Sequence, residues 1–215
     1  MSTIRKVTLQ CAICGNTNEY CVIGSYTQMT SSDLDMRPGE TLRTAMQYLP
    51  QECPECHYTA FDVAKPCSVS RQFLLSKNYR SCDNLHFKSN NACQFYRIYL
   101  IQMFVKDLSS AYDAIVMAAW ECDDSGDVNN ASYCRSIAID LADILLQNNY
   151  PNNKTVYLQK ADFLRRTGQY SRLIREYAKT PAPYYLLYDE EEALKFQIKK
   201  ARRHDPACYS IDDIM

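Results

Sequence analysis

Two Cys-x2-Cys pairs, Cys11 with Cys14 and Cys53 with Cys56, constrain this chain more than any other feature of it. A two-residue spacer turns both sulfurs inward within one tight turn, so each pair can grip one side of a tetrahedral ion. The stretch 15–52 between them is longer than such sites usually have. An insert is tolerated there because loop-closure entropy grows only with the logarithm of length. The pattern predicts one structural zinc on Cys11, Cys14, Cys53 and Cys56. With sulfur in all four positions, no place is left for water or substrate, so the metal would fold the domain and catalyse nothing.

Two rival chemistries use the same residue types. Cys53-Pro-Glu-Cys56-His57 has the form of a c-type haem attachment site, but haem would leave Cys11 and Cys14 without a purpose. A thioredoxin-like dithiol sits at a helix N-terminus after a strand, and neither pair precedes a convincing helix. Gly15, after Cys14, has the freedom for positive φ that a knuckle turn needs. His57 holds the equivalent place after Cys56, and histidine tolerates that backbone less well.

Eleven cysteines would suggest a disulfide framework in a short secreted chain. Here the number is odd, and the opening stretch MSTIRKVTLQCAIC lacks the apolar core of a signal peptide, so reduced thiols and a cytoplasmic location are expected. The other seven, Cys21, Cys67, Cys82, Cys93, Cys122, Cys134 and Cys208, read as scattered small hydrophobes. The apolar helix Ile98–Val105 contains Gln102 and is flanked by Arg97 and Lys106, which argues against a membrane span. A net charge of −1 leaves no global basic field for a phosphate backbone.

Segments Lys6–Gln10 and Glu19–Thr27 are rich in Val, Ile, Thr and Tyr and predict a hairpin around the first knuckle, with Tyr58–Phe61 a strand leaving the second. Between the knuckles lie a polar loop, Ser31–Pro38, and a short helix over Gly39–Tyr48 with Pro38 in its first turn. From Ser68 the spacing turns helical, over 68–79, 92–106, 109–122, 128–148, 155–167, 170–179 and 189–203. The expected fold is α+β, mostly α. It comprises a zinc-ribbon domain over 1–66, with inserted loop and short helix, and a domain of antiparallel helical hairpins over 67–215.

Within Tyr157–Tyr177, aromatic and small residues, among them Tyr157, Ala161, Tyr170 and Tyr177, fall where a tetratricopeptide helix pair puts them. Ala119, Ala131 and Ala138 flank an earlier turn at Gly126. Lys160 stands where Leu is usual and Leu173 where a small Ala is usual. The turns at Gly126 and Gly168 are also farther apart than the usual ~34 residues. An ordinary helical bundle remains the alternative.

Cys11-x2-Cys14-Gly15, Ser32-Asp-Leu-Asp-Met-Arg-Pro38, Gln51-Glu-Cys-Pro-Glu-Cys56 and Tyr58, with the helical remainder, make the chain resemble an uncharacterised bacterial family. That family has an N-terminal four-cysteine zinc ribbon and a tetratricopeptide-like C-terminal region. His57 departs from the glycine expected there without touching a ligand. The resemblance implies an architecture and brings no activity with it.

Asp33, Asp35 and Arg37 could bind a partner or a phosphate. The plainer account is that an aspartate caps the short helix and Arg37 pairs with one of them. Lys195, Lys199, Lys200, Arg202 and Arg203 form a basic cluster, but Asp189–Glu192 open the same helix, an order the helix dipole favours. Arg165, Arg166, Arg172 and Arg175 read as a solvated helix face. No nucleophile elbow, phosphate-binding glycine loop, H-E-x-x-H or dinucleotide fingerprint occurs.

The functional expectation is a noncatalytic zinc-binding scaffold that presents helices to a protein or peptide partner, without membrane association. The alternative is a nucleic-acid accessory factor using the ribbon.

Overall fold

The computed structural model describes residues 3–148, 153–178 and 186–214. Strands β1 (Thr3–Gln10) and β2 (Thr17–Ser25) pair antiparallel with Leu9 opposite Asn18, so the hairpin carries the first Cys pair at its tip. After the helical turn α1 (Leu42–Ala45) come β3 (Gln51–Glu52) and β4 (Thr59–Ala60), an antiparallel pair that brackets the second. The rest is helical: α2 (Arg71–Leu74), α3 (Asn90–Val105), α4 (Leu108–Asp124), α5 (Val128–Gln147), α6 (Asn153–Arg166), α7 (Tyr170–Leu173) and α8 (Tyr188–Ala201). No helix of the described residues is long and apolar enough to cross a membrane.

Side-chain caps set the helix starts. Ser89 Oγ accepts from the Ala92 amide at α3, and Asp107 Oδ1 accepts from the Ser110 amide at α4. Lys106, at φ 63°, ends α3 in the left-handed conformation and turns the chain into α4. Gly126 and Gly168, both at positive φ, close α4 and α6.

The helix expected over 68–79 is broken. α2 lasts one turn, and a 3-10 turn at Tyr79–Asn84 follows. The cause is Tyr79, which is buried in the cysteine cluster and donates its hydroxyl to the His57 carbonyl at 2.6 Å. The helix expected over 170–179 also divides, into α7 and a π turn at Ile174–Ala178. The short helix expected from Gly39 begins only at Leu42. A Cβ on Gly39 would collide with the Thr30 carbonyl, so this glycine serves a close chain approach.

The chain forms two compact units, and they do not divide near residue 66. The first comprises 1–27 and 41–134, the second 28–40 and 135–215. In the first, the knuckles share a core with the helices: Cys11, Cys53, Cys56, Tyr58 and Val63 pack with Leu74, Tyr79 and Ile101. In the second, the loop expected to belong to the ribbon packs with the C-terminal segment. The Leu34 amide donates to the Tyr209 carbonyl, the Ile211 amide donates to the Ser32 carbonyl, and Asp33 bridges Ser210. Sequence adjacency to the knuckles hid this arrangement.

Candidate metal centre

The two knuckles are built alike. The Gly15 amide donates to the Cys11 carbonyl and the His57 amide to the Cys53 carbonyl, each at 2.9 Å. Gly15 has φ 75° and His57 φ 60°, so the histidine adopts the backbone its position demands. Its ring is held by Glu52, with Nδ1 3.0 Å from Oε1. The same Oε1 receives Arg97 Nη1 at 2.8 Å, which ties the second knuckle to α3.

The four sulfurs converge. Cys11 Sγ lies 3.7 Å from Cys56 Sγ and Cys14 Sγ 3.5 Å from Cys53 Sγ, and all four lie within 4.8 Å of one another. A tetrahedron with metal–sulfur bonds of ~2.3 Å has edges of about 3.8 Å, so these residues fit a single four-coordinate ion. Cys11, Cys53 and Cys56 are buried and Cys14 is half-buried. Burial pushes the Cys53 and Cys56 thiols up. At Cys14 the same burial is outweighed by the Asn16 amide and by the three other sulfurs, which together hold it below the usual thiol range. Four thiolates this close need a cation to ionise together, and a metal ion held by all four would supply it.

Asp33, Asp35 and Arg37 are not presented together to a partner. Asp35 and Arg37 are 1% and 2% exposed. Asp35 Oδ1 accepts from the Arg37 amide, its Oδ2 lies 3.8 Å from Arg135 Nη2 and 3.5 Å from Arg166 Nη1, and its carbonyl accepts from Gln159 Nε2. Burial and the charge of Asp162 push the Asp35 carboxyl up to about 6 against Arg135 and Arg166. Neither aspartate caps the short helix, whose N-cap is Thr41.

The arginines expected on a solvated face correct that reading too. Arg165 is fully buried, binding Asp162 Oδ1 at 2.7 Å and the carbonyls of Asp205 and Ala207 at 2.9 and 2.6 Å. Arg172 pairs with Asp143 and Glu176, while Arg175 remains mostly exposed. Lys160, in the place of a usual Leu, is nearly buried between Asp143 and Glu176, at 2.6 and 2.7 Å. In the basic cluster, Lys195 pairs with Glu192, and Lys200 lies over the Tyr209 ring at 3.9 Å. Arg202 and Arg203 are exposed.

Sequence reasoning also missed that scattered cysteines meet in space. Cys82, Asp83 and Cys93 bring their ligand atoms within 4.8 Å of one another, and Cys122 lies against Cys134. Comparison with protein-family models, with curated proteins and with solved structures returns no match, so this centre stands on its own geometry.

Proposed function

We propose that the protein is a noncatalytic interaction protein whose first unit is stapled by one structural zinc on Cys11, Cys14, Cys53 and Cys56. The observation that carries this reading is the closed set of four sulfurs at tetrahedral spacing. Borderline-soft zinc favours thiolates and imposes no other geometry, and four protein ligands leave no site for activated water. The metal's role is then to hold two knuckles on a helical base.

A protein or peptide partner is the reading for the surface so held. A cleft of about 420 Å³ in the first unit, lined by Tyr58, Phe61, Lys65, Cys67, Gln102 and Asp107, supports it. It opens beside β4, next to the second knuckle, where apolar rings and a few polar groups converge as in peptide-binding grooves. Leu75 and Phe104, 62% and 49% exposed, leave further apolar surface on the same unit.

Elemental analysis of full-length protein purified without added metal tests the staple, with one zinc per chain expected and none in a Cys53→Ser, Cys56→Ser variant. Affinity capture with the zinc-replete chain tests the interaction. Reproducible enrichment of one partner, lost in a folded Lys65→Glu, Gln102→Glu variant, supports it. No reproducible partner rejects the interaction reading, and equal capture by the variant rejects the cleft.

A further inference from the structure

We propose that Cys82 and Cys93 form a thiol–disulfide exchange site, which closes a reversible disulfide on reaction with a low-molecular-weight disulfide. Cys82 sits in the 3-10 turn Tyr79–Asn84 and Cys93 in the first turn of α3, and their sulfurs lie within 4.8 Å. Arg97, one helical turn beyond Cys93, donates Nε to Cys82 Sγ at 3.1 Å. Its guanidinium is fixed there by Glu52 at 2.8 Å and Asp83 at 3.2 Å.

A guanidinium on the sulfur selects the chemistry. Arg97 keeps its positive charge at any ordinary pH and would repel a metal ion shared by Cys82, Asp83 and Cys93. The same charge stabilises a thiolate, the species that attacks and leaves in disulfide exchange. Cys93 is held below the usual thiol range, first by its hydrogen bond with Cys82 and, against burial, by Arg97; Asp83 and Glu52 oppose this.

Exposure assigns the order of events. Cys93 is half-buried and Cys82 is 1% exposed, so Cys93 meets the oxidant first. Its thiolate attacks one sulfur of the small disulfide RSSR, forming Cys93–S–SR and releasing RS⁻. Cys82 then gives up its proton and attacks the Cys93 sulfur, expelling a second RS⁻, while Arg97 stabilises the charge on Cys82. Two thiols and RSSR become one protein disulfide and two RSH. Closing the bond brings the sulfurs to ~2.05 Å, and the carrier of Cys82 is a short 3-10 turn rather than a long helix. Cys122 and Cys134 serve as the internal contrast, since both are wholly buried.

The test uses the full-length, zinc-replete protein, exposed to oxidised glutathione between pH 6 and 9, then alkylated and mapped after trypsin. Cleavage at Lys88 separates the two cysteines. The expected product is a linked Cys82–Cys93 peptide pair, formed at least about tenfold faster than any modification of Cys122 or Cys134. Cys82→Ser should trap the glutathione adduct on Cys93, and Cys93→Ser should leave Cys82 unmodified. Arg97→Gln should slow linkage and move its pH midpoint upward, with Arg97→Lys recovering part of the effect. Accumulation of Cys93–glutathione without linkage in the wild type would overturn the proposal. So would reaction at Cys93 no faster than at the exposed Cys21 and Cys208, or failure of Cys82→Ser to trap an adduct.

Discussion

Withdrawing the proposed zinc should unfold more than the knuckles. In zinc-finger peptides at neutral pH, structural zinc binding carries an apparent ~10–16 kcal/mol, as large as the whole ~5–15 kcal/mol stability of a typical domain. Cys11, Cys53 and Cys56 belong to the same buried cluster as Tyr58, Val63, Leu74, Tyr79 and Ile101. Without the cation, sulfurs 3.5 and 3.7 Å apart must take up protons or separate, and either change disturbs the packing of Tyr79 and Ile101. The assay is hydrogen exchange read by mass spectrometry on the full-length protein, before and after a strong chelator. Slow amides in 7–23, in 51–63 and in the C-terminal half of α3 should lose at least about 100-fold protection, equivalent to ~2.8 kcal/mol. Amides of α6 and α8 should keep theirs, because all four cysteines belong to the first unit and these helices to the second. Loss confined to residues before 66 would refute the shared core. No loss at all would refute the staple.

The knuckle turns predict opposite responses at equivalent places. Gly15→Ala, at φ 75°, should lower the unfolding free energy read from denaturant melts by ~1–2 kcal/mol. His57→Gly, at φ 60°, should raise it by up to ~1 kcal/mol, less what the exposed ring contributes through Glu52. Asp35 predicts a pH dependence. Its folded pKa of about 6 lies above the ordinary 3.8, so its contribution is fully present below about pH 4 and lost as pH rises through 6. Over that window the wild type should lose up to ~3 kcal/mol relative to Asp35→Asn, read from denaturant melts at each pH; a flat difference would reject the raised carboxyl. Arg165→Met should cost ~3–5 kcal/mol by stranding the buried Asp162, and should free the amides near Ala207 to exchange.

Helix positions were legible because the apolar period and the turn residues agreed. Ser89, Asp107 and Gly126 mark ends that local chemistry alone determines. The four cysteines were legible for the same reason, since their spacing encodes a knuckle before any tertiary contact forms. Long-range partners were not. Tyr79 breaks a helix for the sake of the His57 carbonyl, and nothing near Tyr79 in sequence announces that acceptor. Asp35 and Lys160 are buried against counterions far away in sequence, Arg135 for the first and Asp143 and Glu176 for the second, and no local pattern announces those pairs. The same limit hid the approach of Cys82 to Cys93, which depends on how a 3-10 turn lies against α3.

The loop 28–40 imposes an order on synthesis. Its residues leave the ribosome long before 135–214, yet their partners Arg135, Gln159 and Arg166 and the backbone around Tyr209 lie in that late segment. The loop must therefore wait, solvated and charged, while the chain around it is made. A polar sequence suits such a wait, because Asp33, Asp35 and Arg37 keep it from sticking to the apolar surface of half-made neighbours. A fragment cut at residue 67 would carry every helix of the second unit and still lack the strand of chain that fills its charged interior.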